Sequence, residues 1–264
     1  MIQLADIYAH MAGQHGGEGV EGGAFDQKSL HDGIIASHVT TRASDGEFNK
    51  LTGLPTLSYF VSRIDELLPI LNMERQPVLG FIRLSQLRDY NSRLGYTQGD
   101  RLIAKTGELL RASFDQRHVC YIAGGHFAVL CFKDEAQAAM ERLDAGLREY
   151  APGFADLCQA GFAEYTGRES IVSLLDKAKE AEASIHHQRG KLLRFYDTQL
   201  DEQSRFTRYI VEHVDEAIEK GWLQVYYQPI ARSLTAEVCN EEALSRWDDP
   251  TYGFLTPDRF IPVL

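Results

Sequence analysis

The stretch Ala123-Gly124-Gly125-His126-Phe127-Ala128-Val129-Leu130 decides the fold of this chain. Apolar, β-prone residues precede it over 119–122 and continue after it as far as Phe132. Two such runs on either side of a Gly-Gly step predict a β-hairpin with a tight turn. The turn contains no carboxylate, and this absence limits the chemistry that the hairpin can support.

Helical and strand patterns alternate on both sides of the hairpin. Strands are predicted at 78–84, 157–165 and 192–196, and helices at 57–68, 86–94, 98–113, 134–149 and 170–188. We therefore expect an α/β fold, in the form of an α+β sandwich. It should have a central mixed sheet with a layer of helices on each face.

A long helix is predicted beyond this first domain, from about 198 to 220, with Gly221 as its C-terminal cap. Its apolar face comprises Phe206, Tyr209, Ile210, His213, Val214, Ala217 and Ile218. Two strands follow at 223–230 and 238–247, and the chain stops in an apolar segment, 260–264. We expect a chain that stops there to be cut inside a second domain.

The segment 1–48 precedes the first clear pattern. Six glycines with charges between them occupy 13–23, a composition typical of a flexible linker. No role is predicted for this segment.

Charge and cysteine content narrow the class of protein. The net charge is −11, which argues against a nucleic-acid polymer as partner because such binding needs a basic surface. A nucleotide pocket remains open, since it needs only a few local donors.

The four cysteines lack metal-site spacing and are interpreted as small buried core residues of a reducing compartment. No apolar run is long enough to cross a bilayer, so a cytoplasmic location is expected.

Three blocks of the first domain occur together in a known order. They are Leu51-Thr52-Gly53-Leu54-Pro55, the run from Asn91 to Asp100, and Gly124-Gly125-His126-Phe127. In order and spacing they resemble the signature blocks of GGDEF domains, the diguanylate cyclase family. The resemblance covers about 49–197.

A second set of blocks lies after the long helix. It comprises Tyr227-Gln228-Pro229-Ile230, the run from Glu242 to Trp247, and Phe260-Ile261-Pro262. These residues resemble the opening of an EAL domain, the cyclic-di-GMP phosphodiesterase family. The resemblance implies a connecting helix at 198–221 and, at 222–264, the first strands of a truncated (β/α) barrel.

The GGDEF resemblance implies the fold but argues against the activity. Joining two GTP molecules requires a divalent metal and carboxylates to hold it. Arg83 stands where the family has its metal-binding Asp at the end of the first strand, and Gly125 and His126 stand at the acidic positions of the hairpin. We therefore expect no cyclase activity and no cofactor in this domain.

Asn91 remains at a guanine-binding position, although Ser92 replaces the usual Asp, so a weak nucleotide site is left open.

Three residues or pairs of this domain also have simpler interpretations. His126 is more simply a solvated turn residue than a metal ligand in a changed site, and Gly124-Gly125 is more simply a tight turn than a phosphate loop. The adjacent His186 and His187 point about 100° apart on a helix, so they are interpreted as polar residues at a helix end rather than as ligands of one metal.

The EAL resemblance implies a different set of residues. Glu242 corresponds to a metal ligand, Gln228 and Arg246 to contacts with the cyclic dinucleotide, and Leu244 to the floor of the substrate site. The family's other ligands come later in its sequence. We therefore expect Mg²⁺ or Mn²⁺, and cyclic-di-GMP as a partner, only in a complete EAL domain.

Three functions are consistent with these patterns. The favoured one is a catalytically inactive GGDEF-like regulatory module linked to an EAL domain in cyclic-di-GMP signalling. In the second, the whole protein is an active phosphodiesterase whose GGDEF-like domain senses GTP as an activator. In the third, it is a non-enzymatic cyclic-di-GMP receptor or interaction module. A homodimer is compatible with all three.

Overall fold

The computed structural model describes residues 46–68, 75–114, 118–186 and 188–264. Contacts divide the chain into two compact units, with the boundary between Tyr196 and Asp197. The Gly-rich linker predicted at 13–23 lies outside the described residues.

The first unit alternates helices with strands. Its elements are α1 Leu57–Leu67, β1 Pro77–Leu84, α2 Leu87–Leu94, α3 Tyr96–Ser113, β2 Val119–Ala123, β3 His126–Phe132, α4 Lys133–Tyr150, β4 Cys158–Glu164, α5 Ile171–Ala183 and β5 Leu193–Phe195. The predicted hairpin and alternation are confirmed. The largest shift is at the end of α5, which stops five residues before the predicted position of 188. There the backbone turns, and the Ser184 hydroxyl donates to the carbonyl of Ala181 at 2.6 Å.

The five strands form one mixed sheet in the order β2-β3-β1-β4-β5. Strand β1 lies at the centre and pairs antiparallel with β3 and with β4, whereas β5 pairs parallel with β4. The order confirms the predicted central mixed sheet. It also places the end of β1 between the hairpin and β4.

Two apolar cores cover the two faces of this sheet, as the sandwich prediction requires. One core joins α3 and α4 to the sheet and includes Ile82, Leu102, Leu110, Phe127, Met140 and Leu143. The other joins α1 and α5 to the opposite face and includes Phe60, Ile64, Leu79, Phe81, Leu174 and Leu175. Because side chains alternate along a strand, Phe81 and Arg83 both point to the α5 face.

The second unit begins with a long helix. Its elements are α6 Thr198–Glu219, β6 Leu223–Ala231, β7 Val238–Asp249, β8 Gly253–Leu255, α7 Pro257–Phe260 and a 3₁₀ turn Ile261–Val263. Asp197 caps α6 by accepting a hydrogen bond from the amide of Leu200 at 2.9 Å. The strands form an antiparallel sheet in the order β6-β7-β8.

Helix α6 packs against the strands that follow it. Its core comprises Ile210, Ala217, Trp247, Leu255 and Phe260, all buried. The predicted apolar face is wrong at Ile218, which is 59% exposed. Ile218 lies about 100° around the helix from Ala217, which faces the core.

The rest of β6 and β7 is open to solvent. Tyr227 is 65% exposed and Val238 is 61% exposed. The cysteine prediction is confirmed for Cys120 and Cys158, which are buried. Cys131 is half-buried, and the prediction is wrong for Cys239, which is exposed on the open part of β7. No helix among the described residues is long and apolar enough to span a membrane.

Candidate functional site

The hairpin turn joins β2 to β3 through two glycines in the left-handed region. Gly124 has φ +56° and Gly125 has φ +82°. Gly125 is buried, and its carbonyl accepts a hydrogen bond from the amide of Leu84 at 2.9 Å. A Cβ at Gly125 would lie 2.8 Å from Cδ2 of Leu87 and 3.3 Å from Cβ of Leu84. Position 125 therefore disfavours any side chain, an acidic one included.

A row of polar residues crosses three strands beside this turn. In the register of the sheet, His126 on β3 lies directly opposite Arg83 on β1, and Arg83 lies directly opposite Gln159 on β4. We call these three residues the polar row. The structure thus brings together two of the positions singled out in the sequence, Arg83 and His126, as a cross-strand pair.

Arg83 reaches across the face of the sheet to α5. Its Nη2 lies 3.2 Å from Oε2 of Glu182, whose side chain is 0% exposed. His186, one turn further along the chain, places Nδ1 3.5 Å from Oε1 of the same carboxylate. Burial raises the pKa of Glu182, and the charges of Arg83 and Lys179 oppose this rise only in part. A buried carboxylate therefore neutralises the guanidinium at the end of β1.

His126 is fixed by its surroundings and is half-buried. Its ring stacks on Phe81 with a centroid distance of 5.3 Å, and Nδ1 lies 3.0 Å from the carbonyl of Ala123. Desolvation lowers the pKa of His126, and the positive charge of Arg83 lowers it further. His126 is thus a packed, neutral ring at neutral pH, which differs from the solvated turn residue expected from the sequence.

Gln159 anchors the connection between α5 and β5. Its side chain is buried, and Nε2 lies 2.9 Å from the carbonyl of Ile185, 3.2 Å from that of Gln188 and 3.0 Å from that of Lys191. Its two N–H groups are therefore shared among three acceptors. On the other side, Oε1 accepts from the hydroxyl of Ser85 at 3.2 Å.

The guanine-binding position predicted at Asn91 lies on α2, apart from the polar row in sequence. Its Oδ1 is buried and has no hydrogen-bond partner within the described ranges. A Cβ at Gly99 of α3 would lie 1.7 Å from that oxygen, so the two helices meet closely there. The contact explains a glycine at 99, while a nucleotide-binding role for Asn91 stays a prediction.

The residues predicted for the EAL site lie on one face of the β6–β7 pair. Gln228 is directly opposite Glu242, and Leu244 and Arg246 follow Glu242 at alternate positions of β7. Gln228 and Glu242 are exposed, whereas Leu244 and Arg246 are half-buried. The structure therefore groups all four, although their roles stay predictions.

As far as the chain is described, neither candidate site presents the set of oxygen ligands that a hard divalent ion needs. In the part of the chain that the structure describes, no group of three or more His, Cys, Asp or Glu residues is arranged to hold a metal. Hard divalent ions need several oxygen ligands. Arg83 and His126 do not fit that need, and Glu242 offers a single carboxylate.

Sequence reasoning missed Gln159 and Glu182. A signal for Glu182 exists, since it falls on the apolar stripe of α5 that includes Ile171, Leu175 and Ala178. A charged residue on such a stripe indicates a buried partner. That partner is Arg83, and it could be identified only from the order of the strands in the sheet. The interpretation of His187 as a polar residue at a helix end stays a prediction, because His187 lies outside the described residues.

Comparisons with known proteins agree with both resemblances. A family model described as "Diguanylate cyclase, GGDEF domain" matches residues 47–191, and one described as "EAL domain" matches residues 211–264. Oxygen sensor protein DosP of Escherichia coli K12 is 25% identical over 226 residues, which cover 82% of this chain and 28% of DosP. Cyclic di-GMP phosphodiesterase NbdA of Pseudomonas aeruginosa is 30% identical over 195 residues, 69% of this chain and 24% of NbdA. The chain spans about a quarter of the length of these relatives.

Solved structures share the fold. The S helix-GGDEF-EAL region of LapD from Vibrio cholerae, bound to c-di-GMP, has a TM-score of 0.53 at 16% identity over 90% of this chain and 56% of that one. The GGDEF domain of YfiN (TpbB) from Pseudomonas aeruginosa has a TM-score of 0.50 at 21% identity, covering 60% of this chain and 99% of that domain. At these identities the likeness concerns the fold alone.

Proposed function

This chain belongs to the GGDEF family, with the beginning of an EAL domain after the GGDEF domain, and we propose that its GGDEF domain is a regulatory module without cyclase activity. The domain architecture is that of cyclic-di-GMP signalling proteins. In the proposal, the GGDEF domain supplies structure and regulation, and any chemistry or dinucleotide binding belongs to a complete EAL domain.

The observation that carries the proposal is the cross-strand pair of Arg83 and His126. By the family resemblance, Arg83 and His126 stand at two of the three positions that are acidic in the family, and Gly125 stands at the third. A guanidinium repels a divalent cation, and a neutral imidazole facing it brings no negative charge. Glu182 does not compensate, because its carboxylate is buried against Arg83 at 3.2 Å.

Phosphoryl transfer between two GTP molecules develops charge on phosphate oxygens. Metal ions and cationic groups normally stabilise that charge, and the loss of one such stabilising group costs about 10²–10³ in rate. With all three of these positions altered, the losses compound. We therefore infer a rate too low to sustain signalling.

The second part of the proposal concerns Gln228, Glu242, Leu244 and Arg246. In a complete EAL domain, Glu242 would contribute one carboxylate to a metal site. Arg246 would contact a phosphate through a charge-assisted hydrogen bond. Gln228 and Leu244 would contact the dinucleotide beside them. Among the described residues, Glu242 belongs to no group of three or more His, Cys, Asp or Glu side chains that could hold a metal, so we expect this chain to hydrolyse no cyclic-di-GMP.

The direct test incubates the purified chain with GTP and either Mg²⁺ or Mn²⁺ and separates the products by chromatography. We expect no cyclic-di-GMP, while an active cyclase of the family in the same buffer produces it. Product formed by this chain and lost in a His126→Ala variant would overturn the proposal. A parallel titration with labelled GTP separates a nucleotide-sensing domain, which binds without turnover, from one that binds no nucleotide.

A further inference from the structure

The polar row and α5 are joined by two separate contacts that lead to the same segment. Arg83 holds Glu182 near the C-terminal end of α5, with Nη2 and Oε2 3.2 Å apart. Gln159, the next residue of the row, holds the carbonyls of Ile185, Gln188 and Lys191. The anchored segment is the connection between α5 and β5, which leads to Tyr196 at the end of the first unit.

We propose that Arg83 and Gln159 form an internal lock that fixes the α5–β5 connection to the end of β1, independently of any bound nucleotide or divalent ion. The lock is independent of the signalling role proposed above, because it consists only of contacts inside the first unit. Its cation is a side chain, so it is supplied by the fold and not taken from solution. We therefore expect Mg²⁺ to leave the anchoring of Ile185, Gln188 and Lys191 unchanged.

Burial makes these contacts specific. Glu182 is 0% exposed and Gln159 is 2% exposed, so neither can exchange its partner for water without moving α5. Helix α5 itself is seated tightly, since a Cβ at Gly161 of β4 would lie 1.9 Å from the carbonyl oxygen of Ala178. Gln159 would pay the full desolvation cost of its amide if it lost the carbonyls of the α5–β5 connection. Neither oxygen of Glu182 accepts a hydrogen bond within the described residues, so this carboxylate depends on the charge of Arg83.

The charges that face Glu182 come from every element around it. Arg83 approaches from β1, His126 lies behind Arg83 on β3, and His186 and Lys179 belong to α5 and the turn after it. Among these, Arg83 makes the shortest contact with the carboxylate. Lys179 is exposed and acts over a longer distance. Arg83 is therefore the group whose removal should release the segment.

Hydrogen exchange of the 264-residue chain, followed by mass spectrometry, tests the lock. The reporters are peptides covering 184–196, where the amide of Gln188 donates to Ile185 at 2.8 Å and that of Tyr196 to Phe162 at 2.7 Å. We expect exchange there to be at least about tenfold faster in Arg83→Ala and in Glu182→Ala, equivalent to about 1.4 kcal/mol. The double variant should be no faster than the faster single one, because both remove the same contact.

Two further variants keep the test decisive. Glu182→Gln removes the charge but keeps the shape, so it reports on the ion pair even if Arg83→Ala does not fold. Lys105→Ala breaks an exposed pair with Glu108, 3.0 Å apart on α3, and should leave these peptides unchanged. Unchanged exchange in both Glu182→Gln and Arg83→Ala would overturn the lock. So would fully additive effects in the double variant, or a tenfold slowing in the unaltered chain on adding Mg²⁺ or GTP.

Discussion

Replacing Gly125 with Asp should destabilise the first unit, although the family has an acidic residue at this position. The replacement meets two obstacles. The backbone has φ +82°, which costs an L-residue about 1–2 kcal/mol. The new Cβ would lie 2.8 Å from Cδ2 of Leu87 and 3.3 Å from Cβ of Leu84. Overpacking of this kind costs about 1–3 kcal/mol. The expected loss in the free energy of unfolding is therefore about 2–5 kcal/mol.

Gly124→Asp is the matched control. Its φ is +56°, close to the left-handed conformation that Asp tolerates best. An added Cβ would be in ordinary van der Waals contact, 3.8 Å from Nδ1 of His126. Only the backbone cost remains, about 1 kcal/mol. Urea unfolding followed by far-UV circular dichroism measures both variants. Equal stabilities for Gly125→Asp and Gly124→Asp would refute the packing explanation.

Three more outcomes are expected. Ile210→Ala should lower the stability of the second unit by about 2–5 kcal/mol in urea unfolding, because Ile210 is 0% exposed, whereas Val211→Ala at a 54% exposed position should change it little. His126→Glu should produce no cyclic-di-GMP in a chromatographic assay with GTP and Mg²⁺, since Arg83 still faces position 126 and Gly125 carries no ligand; robust turnover would contradict the metal argument. Burial raises the pKa of Glu182 above its ordinary 4.5, so its contribution to stability is complete below that pH and declines as the pH rises through the folded-state pKa. Glu182→Gln loses the ion pair with Arg83 and should be the less stable protein, but its deficit relative to the unaltered chain should shrink from about pH 4 to pH 7, and parallel unfolding curves would disprove the pKa shift.

Much of the fold followed from the sequence because local patterns and the overall topology agree. The Gly-Gly step between β-prone runs determines the hairpin, and the apolar stripes determine which helix faces reach the sheet. The pairing of Arg83 with His126 needed more than the hairpin, because Arg83 lies on β1 and only the register between β1 and β3 places it opposite His126.

The neighbours of those residues did not follow from the sequence. Gln159 and Glu182 are 76 and 99 positions away from Arg83 along the chain, and only the strand order β1-β4 and the seating of α5 bring them near. Likewise, the sequence predicts an apolar face on α6 but not the surface that covers it. That surface depends on Trp247 and Phe260, whose burial against Ile210 required the tertiary structure.

Both tryptophans of the chain, Trp222 and Trp247, belong to the second unit. Trp247 is buried in its core, and Trp222 packs against the same cluster with Lys220 over its ring at 4.9 Å. Intrinsic tryptophan fluorescence therefore reports on the unit that carries the EAL residues, and the GGDEF domain contributes only tyrosine and phenylalanine. Circular dichroism sums the helices of both units, whereas tryptophan fluorescence follows the second unit alone, so the protein contains its own spectroscopic label for the region after Tyr196.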